Sequence, residues 1–218
     1  MAQLPPEPVT PREFIEDVVP SLFAEAELGP EERALDLKLG IVLHGETGGE
    51  WTLHFVEGEL GISEGREVDC ALTLVQSVTD WRAALWEGRP GLVSDLARRV
   101  AEHGSDGLAP PGVEATPKNP GALEGLRDLH GMIEGVIASA GADDWRLGIL
   151  IGPGPVPEAP QATIRIGAEQ AEAIRQGKLH PLEALIGGQL RLEGDLGLIL
   201  QLQAIAMTAT LPPPPSAS

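Results

Sequence analysis

A short run near the end of the chain limits its fold more than any other stretch. From Leu196 to Met207 nearly every position is apolar, and Gln201 and Gln203 interrupt the run. Asp195 stands where an N-cap belongs, so the run reads as a helix without a wide polar face, buried on most of its circumference. Burying each Leu or Ile is worth roughly 1.5–3 kcal/mol, so three left in water would be a heavy loss against ordinary domain stability. Such a helix needs apolar company: its own sheet, a bound acyl chain or a second subunit.

With 218 residues, 42% of them apolar, the chain has enough material for one large domain or two small ones. Aromatic residues are 3% and Tyr is absent, which leaves the core to Leu, Ile, Val and Ala. A net charge of −18 argues against a nucleic-acid partner, whose affinity rests on Lys and Arg displacing counterions. An anionic membrane surface would repel the chain too, and Arg98-Arg99 is the nearest thing to a basic cluster. Cys70 is the one cysteine, which excludes an intramolecular disulfide and a multi-thiolate zinc site and reads as a small buried hydrophobe. No signal-like segment opens the sequence, and no window approaches the roughly 18 apolar residues of a membrane span, so the expected location is the cytoplasm.

Along the chain, residues 1–10 read as a disordered, Pro-rich start. Thr10-Pro11 then opens an amphipathic helix through Phe23. Residues 35–43 and 51–56, joined by Glu46-Thr-Gly-Gly-Glu, read as an antiparallel hairpin. A Gly58-to-Gly65 segment, a strand from Cys70 to Val75, a helix from Thr79 to near Gly88 and a helix from Leu92 to His103 complete a first half, 11–103. Gly, Pro and Ser dominate 104–120, an expected linker. The second half, 121–207, has a helix near Gly121, a short segment at Val136-Ile137, strands at 143–151 and 162–166, and a helix from Ala168 to Gln176. A short helix from Pro181 to Ile186, a strand over 189–193 and the apolar helix follow. Residues 208–218 read as a disordered Pro-rich tail.

The halves echo each other. At an offset of about 94, Val42-Leu43 falls on Val136-Ile137, Glu50-Trp51 on Asp144-Trp145 and Leu53 on Leu147. After a small deletion Ala71-Leu-Thr-Leu meets Ala162-Thr-Ile-Arg, and Leu85 meets Ile174. A gene duplication is the expected origin. The copies are unequal: the first keeps the long opening hairpin, the second the closing strand and helix.

Gly177-Lys178-Leu179-His180-Pro181, the strand after it, Gly194-Asp195 and the final helix together resemble the closing motif of sterol carrier protein type-two domains. The front of that pattern is similar to residues 11–88. The resemblance implies an α+β fold, a largely antiparallel five-stranded sheet with helices over one face and a hydrophobic tunnel between, here as two diverged repeats. It also implies non-catalytic binding of an apolar small molecule or lipid: a fatty acid, an acyl-coenzyme A or an isoprenoid or sterol-like molecule.

No residue pattern points to chemistry. The five histidines are scattered, no serine sits in a Gly-x-Ser-x-Gly elbow, and Gly177-Lys178 lacks the phosphate-cradling spacing. Asp143-Asp144 and Glu31-Glu32 read as turn or helix-start residues. The expectation is therefore a non-enzyme without catalytic residues, metal or cofactor. Candidate tunnel residues are Leu182, Leu185 and Ile186 with the stripe Leu196, Ile199, Leu200, Gln203 and Met207. Trp86 joins them, because Trp81 and Trp86 lie five apart on a helix and cannot both face inward. A homodimer, or a protein partner met through the Pro-rich tail, is a further expectation. The competing expectation is a scaffold or interaction module whose own side chains fill the core.

Overall fold

The computed structural model describes residues 4–26, 28–91, 129–139 and 143–209. The expected helix 92–103 with Arg98-Arg99, the linker 104–120, the helix near Gly121 and the tail beyond 209 lie outside the described residues.

The N-terminal helix opens at a capping box: Thr10 and Glu13 bond reciprocally, and Pro11 occupies the first turn, where no N–H is missed. It runs as α1 (Pro11–Glu13), a π turn (Phe14–Val18) and α2 (Val19–Ala24). The widening ends where Val19 N–H reaches back to the Phe14 carbonyl, one residue before Pro20, which has no N–H to give. Phe14 and Ile15 point inward. A short α3 (Pro30–Arg33) leads into the sheet.

Strands β1 (Asp36–His44), β2 (Gly49–Val56), β3 (Glu59–Glu64) and β4 (Leu72–Ser77) precede α4 (Val78–Leu85). The turn between β2 and β3 is Glu57-Gly58, both at positive φ (51° and 78°), the conformation that joins right-twisted strands with two residues. That turn makes a strand of the stretch that the sequence marks only by its glycines. After residue 128 come β5 (Gly131–Ala138), β6 (Trp145–Ile151), β7 (Ala162–Gly167), α5 (Ala168–Arg175), α6 (Pro181–Ile186), β8 (Leu190–Gly194) and α7 (Leu196–Ala209). The segment at Val136-Ile137 is thus a full strand.

All eight strands belong to one sheet, ordered β3-β2-β1-β4-β6-β5-β7-β8. The sequence leaves open whether the halves share a sheet; they do, and that sheet is mixed where a largely antiparallel one is implied. Five of its pairings are antiparallel, while β1–β4 and β5–β7 are parallel. The halves repeat one arrangement: an antiparallel hairpin, a parallel return to its first strand, then a helix. The first half adds β3 beyond its hairpin, and the second adds β8 beyond β7. At the opposite borders β4 and β6 pair with each other, through Leu72↔Ile151 to Val75↔Gly148. Trp51 lies opposite Ile41 and Trp145 opposite Ile137. The constant offset of 94 therefore breaks inside the hairpin, because ten residues separate Ile41 from Trp51 and eight separate Ile137 from Trp145.

Alternation gives each strand two faces. One carries the helices. Over β1–β3, Leu43, Trp51 and Leu53 pack against Phe14, Ile15, Val78 and Trp81. Within the stretch expected to be disordered, Leu4 and Val9 rest on this cluster. Over β5–β7, Ile133, Ile151 and Ala162 pack against Leu129, Leu198 and Ile199. Trp145, Ile137, Ala84 and Ala171 join α4 to α5 above the sheet. Both Trp51 and Trp145, which occupy the same position in the two halves, are core residues.

The opposite face is sealed by two straps, 65–71 and 152–161. Thr52 Oγ1 donates to the Gly65 carbonyl and accepts from Glu67 N–H, and Arg66 Nε donates to Thr73 Oγ1 at 2.7 Å. Gly40 permits that approach, since a Cβ there would sit 2.6 Å from Thr73 Oγ1 and 3.0 Å from Arg66 Cγ. Gly154 N–H and Gly152 N–H donate to the Val68 and Ala71 carbonyls, so the straps hold each other. Beneath them Val42, Val75, Met132 and Leu150 are buried with Val156 above. Cys70 is wholly buried, as its apolar run predicts, and burial pushes its thiol pKa up.

Candidate functional site

The candidate tunnel residues fall in three environments. On α6, Ala184 is fully buried and anchors the helix, while Leu182 and Leu185 face outward and Ile186 is 79% exposed. The local sequence explains the pose. His180 Nδ1 accepts from Leu182 N–H at 3.2 Å, Glu183 answers the His180 N–H, and Gly188 at positive φ (68°) closes the turn before β8.

On α7, Leu198 and Ile199 are buried and Leu202 is half-buried against the second cluster, whereas Leu196 is 49% and Leu200 61% exposed. Asp195 Oδ1 caps the helix by accepting from Leu198 N–H at 3.2 Å. Two sequence expectations change here. The helix is not buried nearly all round, because it rests on the sheet along one side. The stripe does not share one environment, because Ile199 belongs to the core. The side chains of Gln203 and Met207 lie outside the described ones.

Trp86 stands apart from these residues. Its ring meets Trp81 at 5.1 Å and Phe14 at 5.7 Å, edge to face, and its Nε1 donates to the Pro5 carbonyl at 2.8 Å. Trp81 and Trp86 therefore both serve the first cluster. Five-residue helical spacing does not apply, because Trp86 is the C-cap, at φ −119° and ψ −26°.

One residue of this face was not marked by the sequence reading. Leu74, on β4 near the middle of the sheet, shares the helix-bearing face with Leu72 and Ile41, yet it is 38% exposed and sits in neither large cluster. Its neighbours Ile41, Leu72 and Ile149 are partly buried. Strand alternation, Leu72-Thr73-Leu74-Val75, assigns the face but not whether a helix covers it.

A cleft of about 360 Å³ lies elsewhere, between the end of α2 and the β2–β3 turn, lined by Phe23, Leu28, Arg33, Glu57 and Glu59 among others. It shares no residue with the candidates.

The titratable groups do structural work. His54 Nε2 pairs with Asp36 at 2.8 Å, and His180 is the α6 cap; His103 lies outside the described residues. Asp144 accepts from Arg165 at 2.6 Å and from Ser139 N–H, and Arg165 holds its carboxyl below the usual range. Lys38 is held charged by Asp69 first and Glu67 next. Among the described residues no group of three or more His, Cys, Asp or Glu is placed to hold a metal.

Arg175, then Gln176, depress the Glu172 carboxyl to about 2. A lowered carboxylate pKa adds stability that is present above its ordinary value of 4.5 and is lost as pH falls through about 2. An NMR titration of the folded protein is expected to place the Glu172 midpoint near 2; a midpoint near 4.5 would show that the pair does not persist in water.

Among known proteins, residues 114–207 match the SCP-2 sterol transfer family. No curated protein matches the chain. Among solved structures, the chain is similar to sterol carrier protein 2 like 2 from Aedes aegypti, with 22% identity over 53% of this chain and 96% of that one and a TM-score of 0.32. The palmitated solution structure of SCP2L2 from Aedes aegypti follows at 20% identity, covering 41% of this chain and 95% of that one, TM-score 0.29. Apo sterol carrier protein 2 from Yarrowia lipolytica is 10% identical over 38% of this chain and 76% of that one, TM-score 0.29.

Proposed function

We propose that this chain binds an apolar ligand and carries it without chemistry, a reading supported by the match of residues 114–207 to the SCP-2 sterol transfer family. The ligand class is a fatty acid, an acyl-coenzyme A or an isoprenoid or sterol-like molecule, held in a hydrophobic tunnel. One observation carries the reading: Leu182, Leu185, Ile186, Leu196 and Leu200, all within the matched residues, present aliphatic surface to solvent. Large aliphatic side chains left outward on two helices are candidates for contact with something apolar. Binding would be driven by burial of hydrocarbon with few polar contacts. Among the described residues no helix is long and apolar enough to cross a membrane.

Native mass spectrometry of protein purified from cells, followed by displacement of a fluorescent fatty acid, tests the proposal. A protein that is empty and takes up no probe would count decisively against it. Leu200→Glu places a carboxylate on the exposed side of α7 and is expected to lower ligand retention by about tenfold, the equivalent of about 1.4 kcal/mol. Unchanged retention would remove α7 from the ligand's wall.

A second reading has its own observation. The first cluster is packed with Phe14, Trp51, Trp81 and Trp86, the self-filled core expected of a scaffold or interaction module. The same displacement measurement separates the two, since a scaffold would bind no probe.

A further inference from the structure

We propose that the ligand's hydrocarbon chain lies across the seam between the two halves, on a floor made by Ile41 of β1, Leu72 and Leu74 of β4 and Ile149 of β6, one ligand per chain. This rests on the carrier reading and adds to it, because most of the floor lies outside residues 114–207.

The first ground is position. β4 has three strands on one side and four on the other, so a leucine on its helix-bearing face belongs in the deepest part of a two-layer protein. Leu74 is instead more than a third exposed. Among the described residues it belongs to none of the packed clusters. The N-terminal helix packs on the first cluster, α4 follows β4 and reaches β1 and β6, where Trp145 Nε1 donates to the Asp80 carbonyl, Ala84 and Ala171 pair above Trp145, and α7 rests on Ile133, Ile151 and Ala162. Leu74 lies between these packed regions.

The second ground is the contrast between faces. The residues flanking Leu74 on the other side of the sheet, Thr73 and Val75, are buried, as are Val42, Met132 and Leu150 around them. At Leu74 the sheet is thus buried on one face and partly exposed on the other, a contrast that a uniformly loose sheet would not produce.

The third ground is chemistry. The floor consists of branched aliphatic side chains with no ionisable, aromatic or hydrogen-bonding group, within a chain of net charge −18. Uncharged hydrocarbon matches it, whereas a polar or charged segment would lose its hydration there without a partner. The floor is three strands wide, about 10 Å at ~4.8 Å per strand, room for one alkyl chain lying flat. The equivalent volume over β1–β3 is taken by the aromatic rings of Phe14, Trp81 and Trp86, hence a single ligand.

The test uses the full chain and a polyene octadecanoic acid probe whose emission rises in apolar surroundings. Leu74→Glu and Leu74→Trp are both expected to weaken probe binding by about tenfold or more, one by charge and one by filling the floor. Val68→Glu, a charge placed on the opposite face at a residue 67% exposed, is expected to stay within about twofold of wild type. The thermal unfolding transition checks that each variant is folded, and native mass spectrometry should show one ligand per chain. If wild type binds and both Leu74 variants bind equally well, or if two ligands bind, the seam proposal is overturned while the carrier reading stands. A wild type that takes no probe sinks the carrier reading itself, and the seam proposal with it. A dimer that Leu74→Glu separates into monomers, with no lipid bound, would assign the floor to a second copy and overturn the proposal.

Discussion

Trp51→Ala is expected to destabilise the protein by about 3–5 kcal/mol, the range for emptying a large buried aromatic site. The ring is 2% exposed and stands at the centre of the first cluster, between the strand residues Leu43 and Leu53 and the helical residues Phe14 and Ile15. Trp51 Nε1 also donates to Glu16 Oε1 at 3.0 Å, and Glu16 receives Arg12 at 2.7 Å on the same oxygen. Trp51→Phe separates the contributions: it keeps most of the volume, loses the hydrogen bond and is expected to cost about 1–2 kcal/mol. Denaturant unfolding at constant m-value measures both. An alanine variant within about 1 kcal/mol of wild type would mean that this ring does not organise the first half.

Gly194→Val is the second large effect, expected at about 3–5 kcal/mol from left-handed backbone strain together with steric overlap. Gly194 ends β8 at φ +83°, and a Cβ there would overlap the Gln161 carbonyl oxygen. That same oxygen accepts Asp195 N–H at 2.8 Å, and Asp195 caps α7. The Gly-Asp pair therefore does two jobs in sequence: glycine turns the chain within reach of the β7 entry, and aspartate starts the helix from that point. The valine variant should lose α7 docking first, seen as early hydrogen exchange at Leu198 and Ile199 before the first cluster opens. A variant that unfolds in one step at wild-type stability would show that the turn tolerates a side chain.

What the sequence makes legible is what local rules decide. The opening helix is announced by Thr10, Pro11 and Glu13, a capping box with proline in the first turn. The first hairpin and its buried Trp51 follow from alternation and the Gly48-Gly49 turn, and the α7 start from Gly194-Asp195. What local rules cannot decide is coverage. An apolar circumference on α7 says that burial would be favourable, not that a neighbour is present, and Leu196 and Leu200 are left outward. Leu74 has the same alternation as Leu72, and the helices around the two make the difference. Trp86 shows a second limit, since helical periodicity ends with the helix: one residue past Leu85 the backbone departs, and the ring folds back onto Trp81. Strand β3 shows a third. Its Gly-interrupted sequence hides a strand whose existence depends on the two left-handed residues Glu57 and Gly58 before it.

The pairing of β4 with β6 has a consequence for anyone who trims the chain. Within that ladder β6 presents Gly148, Ile149, Leu150 and Ile151, a stretch with none of the charges or prolines that guard a free border. A truncated product starting at residue 114 would uncover this strand along four consecutive residues and would also lose the first strap, which covers the cluster of Met132 and Leu150. Its natural refuge is another copy of itself, so insolubility of the isolated family segment would reflect a missing neighbour and not a failure of its own sequence to fold.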